Sequence, residues 1–412
     1  MVKNPVWVTA LIILVFTVGQ FGETLYLPAG PAIMHTFHTS ERLVQLILPA
    51  FLLGYGTSQL LWGPISDYHG RRIVILVGVF LFCIGAIFAA VSPTMEYLLL
   101  SCIIAGSGMG SAGAMCRTVL RDLYSGAKLQ SVMGMVGISL VAVPLISPLV
   151  GGYIVKYLSW RAGFWFMAML AVILLAICFF TLEETNKHFI AKQKENTNNI
   201  KKNRFNINKL FVEVMSSYGS VISNRVFMGN MLCSMLNYAT IIAYEVSLPF
   251  LMQDKLKLAP VEFGWVATIP ALGFLLGSML SGKVSKLFSA NNITLLAFCF
   301  TTLAALGFLI PAIDNHMSVL SLIIPMVVYM FGSGFIFAST TSEALMPFAK
   351  NAGIAAATLG LFHNVGVAIS SSYISSYLTL DNQLSLALVF LALNLLMIVV
   401  FLLLVKPKLL YK

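Results

Sequence analysis

Long apolar runs broken by short polar stretches set the pattern of this chain. A helix needs roughly 20 mainly apolar residues to cross about 30 Å of hydrocarbon. Twelve runs meet that length. Six are Val6 to Met34, Leu43 to Trp62, Ile73 to Val91, Tyr97 to Val119, Gln130 to Val155 and Ala162 to Leu182. The other six are Val226 to Met252, Phe263 to Ser281, Ile293 to Ile313, Val319 to Thr341, Ile354 to Leu378 and Leu384 to Val405. They are too long for the 9 to 11 residues of a barrel strand and lack its alternation, so the expected fold is all-α and integral to the membrane. The first run has one basic residue before it, no small-x-small cleavage site and eleven spans behind it, and is expected to stay as a span, not to act as a leader.

One segment breaks the rhythm. Between Glu183 and Arg225, 43 positions hold 12 of the 40 Asp, Glu, Lys and Arg residues, including Lys201, Lys202 and Arg204. The expected organisation is therefore a six-helix bundle over 1–185, a hydrophilic connector over 186–222 and a second six-helix bundle over 223–412. With the termini and connector on one side, 20 of the 25 Lys and Arg fall there; Arg42, Lys156, Arg161, Lys255 and Lys257 fall opposite. This bias places the termini and connector in the cytoplasm, with the chain in a bacterial cytoplasmic membrane. It also accounts for the net charge of +10 without a nucleic-acid partner. A composition of 59% hydrophobic and 10% charged residues excludes a soluble domain and extended disorder. The six cysteines sit in apolar runs without CxxC spacing and are expected as small core residues, so neither a metal nor a cofactor is implied.

The two halves repeat. At an offset of 219, Gly54 falls on Gly273 and Gly63 on Gly282; at 221, Pro28 falls on Pro249 and Thr24 on Glu245. Two halves related by an axis along the membrane normal place a substrate site at their interface near the midplane.

Specific motifs lie on this frame. GPISDYHGRR follows the second span and supplies Gly63, Asp67, Gly70, Arg71 and Arg72. It resembles the cytoplasmic loop signature of the major facilitator superfamily, and the resemblance implies that family's fold. A short charged turn there can hold the cytoplasmic face closed, with Asp67 at a facing helix N-terminus and the arginines paired to an acid such as Asp122. VAVPLISPLVGG, with Pro144, Pro148, Gly151 and Gly152, resembles the superfamily's antiporter signature, with Ser147 where a Gly is usual. Proline and small residues let such a helix bend and pack closely against the other half. TLYLPAGP, the pair Arg121 and Asp122, LSWRAGFWF and AGIAAATLG resemble the Bcr/CflA subfamily of drug:proton antiporters. That resemblance implies proton-driven export of varied small molecules, the alternatives being export of an endogenous metabolite such as a siderophore, or a proton-coupled uptake symporter. The chain departs from the subfamily at Cys102, where span 4 usually has Arg, and at Thr24, where an acid is usual and Glu23 is one step away.

Carboxylates buried in hydrocarbon are costly, which makes Glu23 and Glu245 the candidate proton-coupling groups. Glu23 lies 17 residues into its run, about 26 Å along it. Gln20, Tyr26, Asn237, Tyr238 and Tyr244 are expected to line the substrate cavity. His363, alone in the eleventh run, is expected to serve packing. No HExxH, GxSxG, GxxxxGK[ST] or filter repeat is present, which argues against an intramembrane enzyme, an ATP-driven pump and a channel. The expected partners are a small-molecule substrate, protons and the bilayer, with the chain a monomer.

Overall fold

The computed structural model describes residues 4–186, 189, 219, 221–314, 316–377 and 383–405. Nearly all of the 186–222 connector, including Lys201, Lys202 and Arg204, lies outside them, as do Lys3, Lys406, Lys408 and Lys412.

Twelve long helices follow one another. In the first half they are α1 (Pro5–Phe37), α2 (Glu41–His69), α3 (Arg71–Ala90), α4 (Met95–Leu123), α5 (Gly126–Tyr157) and α6 (Trp160–Thr181). In the second they are α7 (Arg225–Lys255), α8 (Pro260–Val284), α9 (Ala290–Ile313), α10 (Val319–Leu345), α11 (Ala352–Tyr377) and α12 (Leu384–Val405). Among the described residues, eleven are both long and apolar enough to cross a bilayer. Leu61, Phe80, Phe180, Leu303, Ile310 and Leu395 stand exposed, as expected of helices whose outer solvent is lipid. Five cysteines are buried, whereas Cys299 is on the surface: its α9 position faces away from the bundle, so it does not serve as a core residue.

Two expected boundaries change. The first apolar run is not one continuous helix: Pro5–Thr24 gives way to a 3-10 turn at Leu27–Ala29 and resumes as Gly30–Phe37, because Pro28 has no N–H for the α-helical ladder. The motif after the second run is not a loop either. The helix continues through Gly63, Pro64 and Asp67 to His69, and only Gly70 separates α2 from α3.

The internal repeat has a structural counterpart. A Cβ on Gly54 would stand 2.1 Å from the Ile103 carbonyl oxygen, and one on Gly273 2.4 Å from that of Val327. The α2–α4 and α8–α10 pairs thus approach backbone to backbone at matching glycines, where contact replaces the hydrophobic drive that lipid removes. Gly63 and Gly282 face open space, so this pair carries no packing. Pro28 and Pro249 are equivalent in kind: each marks a departure from α-helix, the first inside the 3-10 turn Leu27–Ala29 and the second just before the π-turn Phe250–Lys255. The two breaks meet, with Gly30 against Phe250 and Pro249, and Gln253 Nε2 donating to the Pro28 carbonyl at 3.0 Å.

The halves join along two seams. In the α5–α8 seam, a Cβ on Gly152 would lie 2.4 Å from the Pro260 carbonyl, and Thr268 Oγ1 donates to the Leu145 carbonyl at 2.9 Å. In the α2–α11 seam, Gly56 packs against Asn364 and Val365, and Gln59 against Gly360.

Candidate functional site

The α1 and α7 helices bring one acid and one phenol together across the interface. Glu23, 8% exposed, is the penultimate residue of the first piece of α1, and its Oε1 accepts a hydrogen bond from the Tyr238 hydroxyl of α7. A buried carboxylate needs such a donor, and this one comes from the opposite half. Thr24, one residue on, turns instead to Ser147 of α5, hydroxyl to hydroxyl. Consecutive helical residues point about 100° apart, so the two neighbours serve different helices. Glu245 is half-buried on α7 within electrostatic reach of Glu23. The two acids therefore share one region of the interface.

The other expected cavity residues divide. Gln20 is half-buried one turn before Glu23. Tyr26 instead turns into the first bundle, where its ring stacks on Phe164 at 6.5 Å and helps to line a pocket with Cys102, Phe51 and Phe82. Asn237 is buried against α10, its Nδ2 donating to Ser333 Oγ at 2.7 Å. Tyr244 is likewise in the core of the second bundle, its hydroxyl bonded to the Leu322 carbonyl at 3.3 Å and its ring against Phe308 and Phe390. These three serve packing within a bundle, and only Tyr238 of the aromatic candidates reaches across. His363, expected as a packing residue, stacks on Tyr238 with ring centroids 4.7 Å apart, and its Nδ1 lies 3.3 Å from Ser234 Oγ.

A second polar cluster lies at the α2–α3 turn. Gly70 has φ +91°, and a Cβ there would meet Glu184 Oε2 at 2.3 Å, so both conformation and space require glycine. Glu184, just past α6, accepts the first backbone N–H groups of α3, from Arg71 at 2.9 Å and Arg72 at 3.1 Å. It thus provides the negative charge at a helix N-terminus expected of Asp67. Asp67, 69% exposed in its side chain, pairs with Arg71 Nη1 at 2.6 Å. Arg71 also bonds Ser66 Oγ and reaches Asp122 Oδ2 at 3.3 Å. Thr185 Oγ1 donates to the same Asp122 oxygen at 3.4 Å, and Arg72 bonds the Phe179 carbonyl at 2.6 Å. Arg121 is exposed and makes no hydrogen bond or ion pair among the described residues, so it does not belong to the cluster. Sequence reasoning missed Glu184, Thr185 and Ser66; the signal was the acid pair Glu183 and Glu184 placed where the apolar run stops.

In α5, Pro144 and Pro148 sit inside an unbroken helix. Gly151 rests on the Leu25 carbonyl at the α1 break, and Gly152 on Pro260 of the other half.

Comparison with known proteins gives the same architecture. The chain is 30% identical over 388 residues to Multidrug resistance protein D of Escherichia coli (strain K12), covering 94% of this chain and 93% of that one. It is 25% identical over 354 residues to the Chloramphenicol resistance protein CraA of Acinetobacter baumannii, covering 85% and 81%. Among solved structures, the partially occluded inward-open xylose transporter XylE from E. coli superposes with a TM-score of 0.72 at 15% identity, covering 96% of this chain and 97% of that one; this likeness speaks to the fold. The Major Facilitator Superfamily sequence model matches residues 12–371 and 231–410. Two six-helix halves, a glycine-matched repeat, a glycine turn between α2 and α3 and a match along nearly the whole chain make this protein a transporter of the Major Facilitator Superfamily.

Proposed function

We propose that the protein exports small amphipathic or cationic compounds in exchange for protons by alternating access, with Glu23 as the carboxylate that proton and substrate share. The observation that carries this is the Tyr238 hydroxyl on Glu23. This bond joins the two halves, so whatever changes the charge of the carboxylate acts on the contact between them. A proton neutralises Glu23, a cationic substrate takes over as its partner, and the two cannot be held together. The exchange is driven by the gradient: one elementary charge moved through 100 mV supplies about 2.3 kcal/mol.

The relatives named for multidrug and chloramphenicol resistance support drug efflux as the process. The bias of Lys and Arg toward the connector side supports cytoplasmic termini in an inner membrane. In that orientation the Gly30–Phe250 and Gly152–Pro260 contacts close the outer face. The Arg71 cluster then lies at the cytoplasmic face as a brace for the first bundle. One chain holds both halves of the interface, which supports a monomer.

The test is transport by reconstituted proteoliposomes under an imposed pH gradient, with tetraphenylphosphonium and chloramphenicol as probes. The parent is expected to move at least one of them against its gradient, and Glu23→Gln neither. Equal coupling in the variant would remove Glu23 from the role.

A further inference from the structure

One titratable group beside the site has no part in that scheme. His363 projects from α11 and is half-buried. Tyr238 of α7 covers one face of its ring, with planes 20° apart, and Phe337 of α10 stands edge-on at 6.3 Å. Its Nδ1 is held at Ser234, and its Nε2 has no hydrogen bond among the described residues. The charged group in reach is Arg117 of α4, which also lies within electrostatic reach of Tyr55 on α2.

Height completes the arrangement. The α1, α7 and α11 helices start, and α4 ends, at the face of the Gly70 turn. At 1.5 Å per residue from those ends, Glu23 stands about 27 Å in, Tyr238 about 20 Å, His363 about 17 Å and Arg117 about 9 Å. By height the polar groups descend from the acid toward the cytoplasmic face, with Tyr238 touching both Glu23 and His363.

We propose that His363 is the relay by which the proton of Glu23 leaves for the cytoplasm, an inference that rests on Glu23 being the proton-carrying acid. When Nδ1 donates to Ser234, Nε2 carries the lone pair. The carboxyl O–H of Glu23 releases its proton through an intervening water to Nε2. Glu23 becomes a carboxylate that keeps the Tyr238 hydrogen bond, and the ring becomes an imidazolium. The imidazolium then gives a proton to water on the cytoplasmic side and returns to neutral, so one proton crosses and nothing else changes. The ring's second task is to back Tyr238, and the experiment separates the two.

Purified full-length protein in lipid nanodiscs is subjected to a pH jump, and decay of the protonated-carboxyl infrared band is followed in time. Glu23→Gln identifies the band; if that variant keeps it, Glu23 does not titrate and the proposed function fails, independently of His363. His363→Phe keeps a stacked ring without nitrogen and is expected to slow the decay at least tenfold. His363→Ala is expected to be equally slow and to recover when imidazole is added, which a purely structural ring would not allow. His363→Gln provides the comparison should either variant fold poorly. A decay in His363→Phe as fast as in the parent, or no recovery with imidazole, would overturn the relay.

Discussion

Two carboxylate sites in this molecule are built on opposite plans. At the α2–α3 turn, Asp67, Asp122 and Glu184 surround Arg71 and the N-terminus of α3, and every bond stays inside the first bundle. At the interface, Glu23 has one side-chain hydrogen bond among the described residues, and it comes from the other bundle. Several donors within one rigid unit hold a geometry, since losing any one leaves the rest in place. A single donor across a movable boundary makes the charge state of the acid and the contact between halves depend on each other. The first site is a brace and the second a switch, although both are built from carboxylates, hydroxyls and hydrogen bonds.

Mutations that separate the two plans should follow that order. Glu23→Gln is expected to lower gradient-driven transport by about 10²-fold or more while leaving thermal stability near the parent's, the size of effect usual for removing a proton-transfer group. Gly70→Ala should do the reverse. It places a side chain in a backbone region reserved for glycine and against Glu184, so it should cost about 1–3 kcal/mol, read as a lower unfolding temperature in detergent. Tyr238→Phe removes the cross-bundle bond and keeps the ring on His363. A loss of about 1 kcal/mol, roughly fivefold in transport rate with little change in unfolding temperature, is expected. Glu184→Gln keeps an acceptor but loses the charge at the α3 N-terminus, which should lower stability by about 0.3–1 kcal/mol. Arg121→Ala should change stability by less than about 0.5 kcal/mol, since the side chain is exposed and outside the cluster. If Arg121→Ala proved as damaging as Gly70→Ala, the boundary drawn around the brace would be wrong.

The spans, the repeat and the turn motif were legible because they rest on length, composition and glycine, which leave marks in the sequence. Which way a side chain points left none. In a helix that is hydrophobic all round, the 3.6-residue periodicity that separates inside from outside fades. Tyr244 and Tyr238, six residues apart on α7, read alike in the chain, yet one is buried on Phe390 and the other meets Glu23. The Glu23–Tyr238 contact joins residues 215 positions apart, and nothing local to either one announces it. The α1 break was marked by Pro28, but the length of the apolar run concealed it. Glu184 was hidden in another way: it lies just where the connector begins, in a stretch whose charge reads as solvated.

The meeting of the Pro28 and Pro249 breaks has a mechanical consequence. Each half contributes one bent helix, and the bends lean on each other through Gly30 and Phe250. A door hung this way has twin hinges cut to one pattern, so neither leaf can swing while its counterpart stays shut. Stiffening one bend should then immobilise both.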